Sequence, residues 1–142
     1  MDKQDEIKFR KHFDEESKEY FNKYEGKNVT GHSFRTRRKL ALEMLGNQNL
    51  GELLDIGGGP GVYLHPLKNR VTSYYLIDIS SKMIEQATKQ DPGNTPYYCT
   101  IDSIYNLSFN ENKFDTILIM GVLEYLDLPD IALKNIKNII KQ

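Results

Sequence analysis

The chain places four of its ten glycines within five positions, in the segment LLDIGGGPGVYL at residues 53–64. Residues 57–59 are three consecutive glycines, and Gly61 follows a proline. Glycine adopts positive φ angles at little cost and has no Cβ to obstruct an approaching group. Because an apolar run containing Asp55 precedes the glycines, the segment predicts a buried strand followed by a sharp turn or a closely approached ligand.

Strand and helix patterns alternate from residue 51 onward. The predicted strands are residues 51–57, 72–78, 97–101 and 114–120, and the predicted helices are residues 61–69, 80–90 and 129–142. The last strand, FDTILIM, is nearly all apolar, which is typical of strands buried on both faces. The alternation predicts an α/β fold whose parallel sheet is built from right-handed βαβ units.

The first third of the chain has a different character. Residues 1–25 are densely charged and carry aromatic residues at helical spacings, which predicts one or two amphipathic helices. The segment EGKNVTGHS, residues 25–33, predicts a loop, and an apolar stripe over residues 34–45 predicts a helix that Gly46 ends. We therefore divide the chain into an N-terminal helical segment, residues 1–46, and a core, residues 47–142.

Composition excludes several classes of protein. The 142 residues suggest one domain, and a formal net charge of −1 gives no reason to expect nucleic acid or a membrane as partner. The single cysteine excludes an internal disulfide, and the three histidines lack the spacing of metal ligands, so we expect no metal. Neither a membrane-spanning run nor a signal peptide is visible, which predicts a cytoplasmic protein.

An acidic residue follows the glycine turn at an informative distance. Asp78 ends the second predicted strand about 20 positions after Gly57, where nucleoside-binding α/β folds place the residue that binds the ribose. Its alternative role is to cap the helix that begins at residue 80. A Walker loop is absent, and the dinucleotide pattern GxGxxG fails at Val62, because the spacing here is GxGxG. Asp55 also stands where dinucleotide folds usually have an apolar residue.

At four places the sequence resembles the class I S-adenosylmethionine (SAM) dependent methyltransferases. LLDIGGGPG is similar to their first motif, an aspartate followed by GxGxG, and YLIDISSKMIEQA is similar to their second segment. CTIDSIYNLSF and FDTILIMGVLEYL resemble the segments around their third and fourth strands, in the same order. The resemblance covers residues 53 to about 126 and implies a Rossmann-like, doubly wound parallel sheet.

The resemblance also implies roles for individual residues. The cofactor-binding positions that it assigns are Arg37, Asp55, Gly57, Gly59, Gly61, Asp78, Ile79, Met83, Asp102, Ser103 and Met120. The glycines would lie against the methionine part of SAM, and Asp55 would orient their loop. Asp78 would bind the ribose, and the later residues of the set would surround the adenine and the methionine end. An arginine before the first strand reaches the SAM carboxylate in some relatives, and Arg37 is better placed for this than Arg35 or Arg38.

The resemblance predicts a methyltransferase acting on a small-molecule acceptor, with residues 1–46 capping the cofactor. Glu124 and Tyr125 are the only candidates for a catalytic role, and many relatives have histidine where Tyr125 stands. The alternatives are a non-catalytic SAM-binding or partner-regulating module and, with less support, an NAD-dependent oxidoreductase.

The family core has seven strands, whereas this sequence predicts four. The sheet is therefore expected to be truncated after the fourth strand and its helix, either as a fragment of a longer product or as a shortened descendant. The missing part usually forms much of the acceptor pocket. We expect the chain alone to keep some SAM affinity, to lack turnover, and to associate through the open edge of its fourth strand.

Overall fold

Four parallel strands form the single sheet of the computed structural model, which describes residues 3–142. The strands are β1 (Glu52–Ile56), β2 (Ser73–Asp78), β3 (Tyr97–Ile101) and β4 (Thr116–Ile119). They lie in the order β3-β2-β1-β4, and Asp55 of β1 pairs with Leu76 of β2 and Leu118 of β4. The chain thus adds strands on one side of β1 and then crosses to the other, which confirms the predicted Rossmann-like sheet.

Helices pack on both faces of the sheet. They are α1 (Lys3–Glu16), α2 (Tyr20–Glu25), α3 (Val29–Met44), α4 (Leu64–Leu67), α5 (Ser81–Ala87) and α6 (Pro129–Ile139), with short 3-10 turns at Lys68–Arg70 and Leu123–Tyr125. Consecutive residues of β1 enter opposite cores: Leu53 packs in the cluster that includes Ala41 of α3, and Leu54 packs with Ile139 of α6. Both faces of β1 are therefore buried, as its apolar sequence indicates.

The third helix begins earlier than the sequence predicts. Residues 25–33 were expected to form a loop, but α3 starts at Val29, because the Asn28 side chain caps it by accepting a hydrogen bond from the Gly31 N–H at 2.8 Å. A Cβ at position 31 would lie 2.0 Å from the Gly26 carbonyl oxygen. Gly31 thus permits close packing inside a helix, whereas its presence had suggested a break in one. Gly46, with a φ of 59°, follows the end of α3 as predicted.

The fourth strand is less buried than its apolar sequence predicts. Leu118 is the one residue of β4 that is buried, and the others are partly exposed. In the described part of the chain, β4 is the edge strand of the sheet, paired only with β1. The reason is that no complete strand covers its outer side there. The predicted last helix, residues 129–142, ends instead at Ile139, and Ile140 forms a single parallel bridge with Phe114.

Candidate functional site

A cavity lies at the carboxyl ends of β1, β2 and β4, where the sheet changes direction along the chain. Its walls come from the turns that follow all four strands, and residues of α1 and α2 complete it on the N-terminal side. The predicted site residues that line it are Gly57, Gly59, Asp78, Ile79, Met83, Asp102, Ser103, Met120 and Tyr125. The structure thus brings together nine positions that are spread over nearly 70 residues of sequence.

The glycine loop folds tightly above β1. Gly57, Gly59 and Gly61 have φ angles of 65°, 54° and 86°, a region that side-chain-bearing residues rarely adopt. The Gly57 N–H donates to the Ile77 carbonyl at 2.8 Å, which holds the loop to the end of β2. A Cβ at Gly59 would lie 3.8 Å from Met83 Sδ and 3.8 Å from a ring carbon of Tyr20, which is ordinary van der Waals contact. Gly59 itself lines the cavity between these side chains and the loop.

Asp55 precedes the loop and Gly61 is its last glycine, and neither residue lines the cavity. The Tyr74 hydroxyl donates to Asp55 Oδ2 at 2.7 Å, and both side chains are fully buried. Burial raises the pKa of Asp55 to about 7, against the opposing effect of the Tyr74 hydrogen bond. A Cβ at Gly61 would lie 3.0 Å from the Tyr97 hydroxyl. Asp55 and Gly61 thus pack the loop against Tyr74 of β2 and Tyr97 of β3. Tyr74 is a supporting residue that sequence reasoning missed.

Asp78 stands in the cavity wall with each carboxylate oxygen already accepting one hydrogen bond. The Gly59 N–H donates to Oδ2 and the Ser80 N–H donates to Oδ1, both at 2.9 Å. Each oxygen of a carboxylate accepts two hydrogen bonds, so one further donor can be bound at each. Burial raises the pKa of Asp78 to about 6, while the two N–H groups act to lower it. The alternative capping role falls to Ser80, whose Oγ accepts from the Met83 N–H at 3.0 Å.

The turn after β3 forms the opposite end of the cavity. Asp102 holds it, since its Oδ1 accepts from the Ser103 N–H at 2.8 Å and its Oδ2 from the Ser108 N–H at 3.3 Å. The apolar side chains of Ile79 and Met83 line the same cavity as Asp102 and Asp78. A flat apolar group with polar edges fits such a surface.

Arg37 lies outside this cavity but close to its wall. One of its terminal nitrogens would be 3.0 Å from a Cβ at Gly121, which does line the cavity, and its guanidinium lies 4.8 Å from the Phe34 ring centre. Arg37 Nε and the Tyr63 hydroxyl are buried and have no hydrogen-bond partner. Burial raises the pKa of Tyr63 to about 12, so its hydroxyl stays protonated at neutral pH. Two buried donors therefore lack an acceptor, and one of them, on Arg37, belongs to a side chain beside the cavity wall.

The two catalytic candidates occupy different positions. Glu124 is exposed and does not line the cavity, whereas Tyr125 lines it and is 40% exposed. Phe9 and Phe13 of α1 pack edge-on against the Tyr125 ring, with centroid distances of 5.7 and 5.6 Å, and also line the cavity. Sequence reasoning placed these two aromatic residues on the apolar face of a helix and expected residues 1–46 to cap the cofactor, but it did not single out these two as residues that line the cavity.

The described residues hold no cluster of three or more side chains suited to bind a metal ion. Over the same residues, no helix has both the length and the apolar character needed to cross a membrane.

Comparisons with known proteins agree with this architecture. The sequence profile of a family described as a methyltransferase domain matches residues 54–142. Magnesium protoporphyrin IX methyltransferase from Synechocystis PCC 6803, solved with bound SAH, is similar with a TM-score of 0.74 at 19% identity, over 96% of this chain and 68% of that one. A putative S-adenosyl-L-methionine-dependent methyltransferase from Methanococcus maripaludis is similar with a TM-score of 0.68 at 22% identity, over 95% and 59% of the two chains. At these identities the likeness shows a shared fold.

The YcgJ protein from Bacillus subtilis is similar with a TM-score of 0.68 at 20% identity, over 76% of this chain and 47% of that one. The chain spans about half the length of solved relatives such as this one. No curated protein matches it in sequence.

Proposed function

The chain belongs to the methyltransferase domain family, and on that premise we propose that it is the cofactor-binding part of a SAM-dependent methyltransferase with a small-molecule acceptor. The observation that carries the proposal is that Gly59, Asp78 and Asp102 meet at one cavity. Asp78 is the last residue of β2, and Gly59 and Asp102 lie in the turns after β1 and β3. A nucleoside ligand needs contacts from several strand ends, because the protein must bind its ribose, its base and the group attached to the ribose at the same time.

The residues present fit SAM on three observations. Asp78 has one acceptor position left on each carboxylate oxygen, which suits the two ribose hydroxyls. Gly57 and Gly59 line the cavity, so a ligand in it would lie against the loop. The unpartnered Nε–H of Arg37, whose guanidinium lies beside Gly121 of the cavity wall, suits a carboxylate, which is the anionic group of the methionine end.

The roles proposed for the remaining residues follow from where they lie. Ile79 and Met83 would pack against the adenine ring, and Asp102 with the Ser103 amide would bind its polar edge. Met120 lies at the end of β4, where the methionine part would pass. Asp55 and Gly61 would act through the loop that they support, without touching the cofactor.

The cofactor, when bound, supplies a methyl group that is already activated on a sulfonium. The protein's contribution is then alignment and exclusion of water, for which Phe9, Phe13 and Tyr20 at the cavity are suited. A general base is needed only for an acceptor that must lose a proton during the attack. Tyr125 lines the cavity and Glu124 does not, so Tyr125 is the better placed of the two candidates. Residues 1–46 would form the cap that these aromatic residues begin.

The proposal is tested by methyl transfer from radiolabelled SAM to panels of hydroxyl, amine and carboxyl acceptors. The assay uses this chain and, where the gene product is longer, that product too. Where the gene product is longer, we expect that product to form S-adenosylhomocysteine with at least one acceptor class, its Asp78→Ala variant to lose this activity, and this chain alone to lack turnover. Cofactor binding without transfer in either form would contradict the enzymatic proposal and favour a non-catalytic SAM-binding module.

A further inference from the structure

Helix α1 crosses the cavity and is attached on both sides of it. Its residues Phe9 and Phe13 line the cavity, while its two sets of contacts lead to opposite parts of the sheet. One set reaches the start of α5, which follows β2, and the other reaches Tyr125, which follows β4. Because β2 and β4 flank β1 on opposite sides, the two attachments of α1 lead to opposite sides of β1.

The attachment at α5 is made by one carboxylate. Asp14 Oδ1 accepts a hydrogen bond from the Ser80 hydroxyl at 2.5 Å and another from the Lys82 N–H at 3.1 Å. The Lys82 N–H belongs to the first turn of α5, where helix N–H groups have no partner within the helix. Asp14 therefore completes the cap that Ser80 begins, and a negative charge at that position is favourable.

The same attachment leads to the proposed ribose-binding residue. Ser80 donates its hydroxyl to Asp14 and its backbone N–H to Asp78 Oδ1, and it is fully buried between them. Asp78 in turn accepts from the Gly59 N–H. A continuous set of hydrogen bonds thus connects α1 to the glycine loop.

The attachment at β4 is apolar and partly exposed. Phe9 and Phe13 lie one helical turn apart and pack against the same Tyr125 ring, which is 40% exposed. Such a contact involves little backbone hydrogen bonding, so it can separate without leaving buried polar groups unpaired. The α1 helix thus has one polar attachment of defined geometry and one apolar attachment that can separate.

From this geometry we infer that α1 is a strap over the cofactor cavity, fastened by Asp14, and that the strap opens for the cofactor to enter and leave. Asp14 is a positioning residue in this scheme, because it touches Ser80 and not the ligand. The inference rests on the proposed function, since it concerns access to the same cavity. A ligand that fills the cavity under Phe9 and Phe13 adds contacts to α1 and therefore favours the closed strap.

A gate and a simple contact give different kinetics. Losing a binding contact raises the dissociation rate and leaves the association rate nearly unchanged. Loosening a strap raises both rates, because a larger fraction of the protein is open to the ligand at any time. For Asp14→Ala we expect both rates for S-adenosylhomocysteine to increase, each by roughly 10-fold, with a smaller change in Kd.

The experiment measures these two rates by stopped flow, and amide hydrogen exchange of α1 with and without S-adenosylhomocysteine. Glu15→Ala is the matched control, because Glu15 is the exposed neighbour of Asp14 on the same helix. Asp14→Asn keeps an acceptor oxygen and should restore most of the wild-type behaviour. Phe13→Ala loosens the other attachment and replaces Asp14→Ala if that variant fails to fold. Because Phe13 also lines the cavity, only an increase in its association rate counts in favour of the strap.

The expected result is that the ligand slows exchange in wild-type α1 and that Asp14→Ala removes this protection. If the wild-type chain binds no S-adenosylhomocysteine, the proposed function itself fails. If it binds, but Asp14→Ala and Phe13→Ala both keep wild-type rates and α1 exchange is unaffected by ligand, the strap is refuted while the proposed function stands.

Discussion

Replacing Asp78 by asparagine distinguishes two effects of its buried charge: the effect on the stability of the folded protein and the effect on cofactor affinity. The change keeps the size of the side chain but replaces one carboxylate oxygen by an NH₂ group. In the structure the two oxygens accept from the Gly59 and Ser80 N–H groups, so the new NH₂ must face one of these donors. It also removes one of the two acceptor positions that remain for a ligand.

The stability of the ligand-free protein should change little. Burial raises the pKa of Asp78 from 3.8 to about 6, so keeping the ionised form in the folded state costs about 3 kcal/mol at neutral pH. Asparagine removes that cost. It also loses one hydrogen bond of the loop, which costs about 1–3 kcal/mol. Because the two effects oppose each other, the free energy of unfolding should change by less than about 2 kcal/mol.

Cofactor affinity should fall clearly. A hydrogen bond to a charged group contributes about 1.5–3 kcal/mol, so losing one of the two ribose contacts should raise Kd by about 10- to 100-fold. The assay is titration calorimetry with S-adenosylhomocysteine, together with urea unfolding of the ligand-free protein. Asp91→Asn is the control, because Asp91 is exposed and also accepts a backbone N–H, from Gly93 at 2.8 Å. An unchanged Kd, or a variant that no longer folds, would refute the assignment of Asp78 to the ligand.

Three further outcomes are expected. Gly59→Ala and Gly46→Ala both place a Cβ at a φ near 55–60° and should each cost about 1–2 kcal/mol of stability, but only Gly59→Ala should weaken S-adenosylhomocysteine binding in calorimetry; equal affinity in the two variants would contradict the loop assignment. The pKa values of Asp55 and Asp78, about 7 and about 6, lie above their unfolded values, so the native state binds more protons between pH 4 and pH 7. The unfolding free energy of the ligand-free protein should therefore fall as pH rises through that range, and urea unfolding that becomes harder from pH 5 to pH 7.5 would show the reverse sign. The apolar groove beside the β4 edge includes Met44, which is 88% exposed. Met44→Lys should therefore raise, by about 10-fold, the protein concentration at which light scattering detects self-association. Identical association in the variant would show that this edge is not the contact.

Local signals in the sequence were sufficient for the sheet and for most of the cavity. The glycine loop, Asp78 and Asp102 each follow an apolar run at the end of a predicted strand, and parallel strands bring such ends together. Ser80 was recognisable as a cap from its place before a helical pattern. These features depend on neighbours in the sequence, so no tertiary information was needed.

The features that sequence reasoning missed depend on residues far apart in the chain. The Tyr74 hydroxyl donates a hydrogen bond to Asp55, 19 positions away, and no local pattern in either segment predicts that the two residues pair. Gly31 suggested a loop because its role, close packing on the Gly26 carbonyl, appears only after the helices meet. The exposure of β4 likewise depends on which strands lie beside it. Its apolar sequence indicates only that each residue favours a buried strand.

The most direct test of the whole account is calorimetric titration of the wild-type chain with S-adenosylhomocysteine and, separately, with NAD. The cavity is lined by the Asp78 carboxylate, to which we assign the ribose, and by a GxGxG loop whose sequence departs from the dinucleotide pattern at Val62. We predict saturable binding of S-adenosylhomocysteine, a higher melting temperature in its presence, and no measurable binding of NAD. Binding of NAD with none of S-adenosylhomocysteine would contradict the assignment of this cavity to SAM.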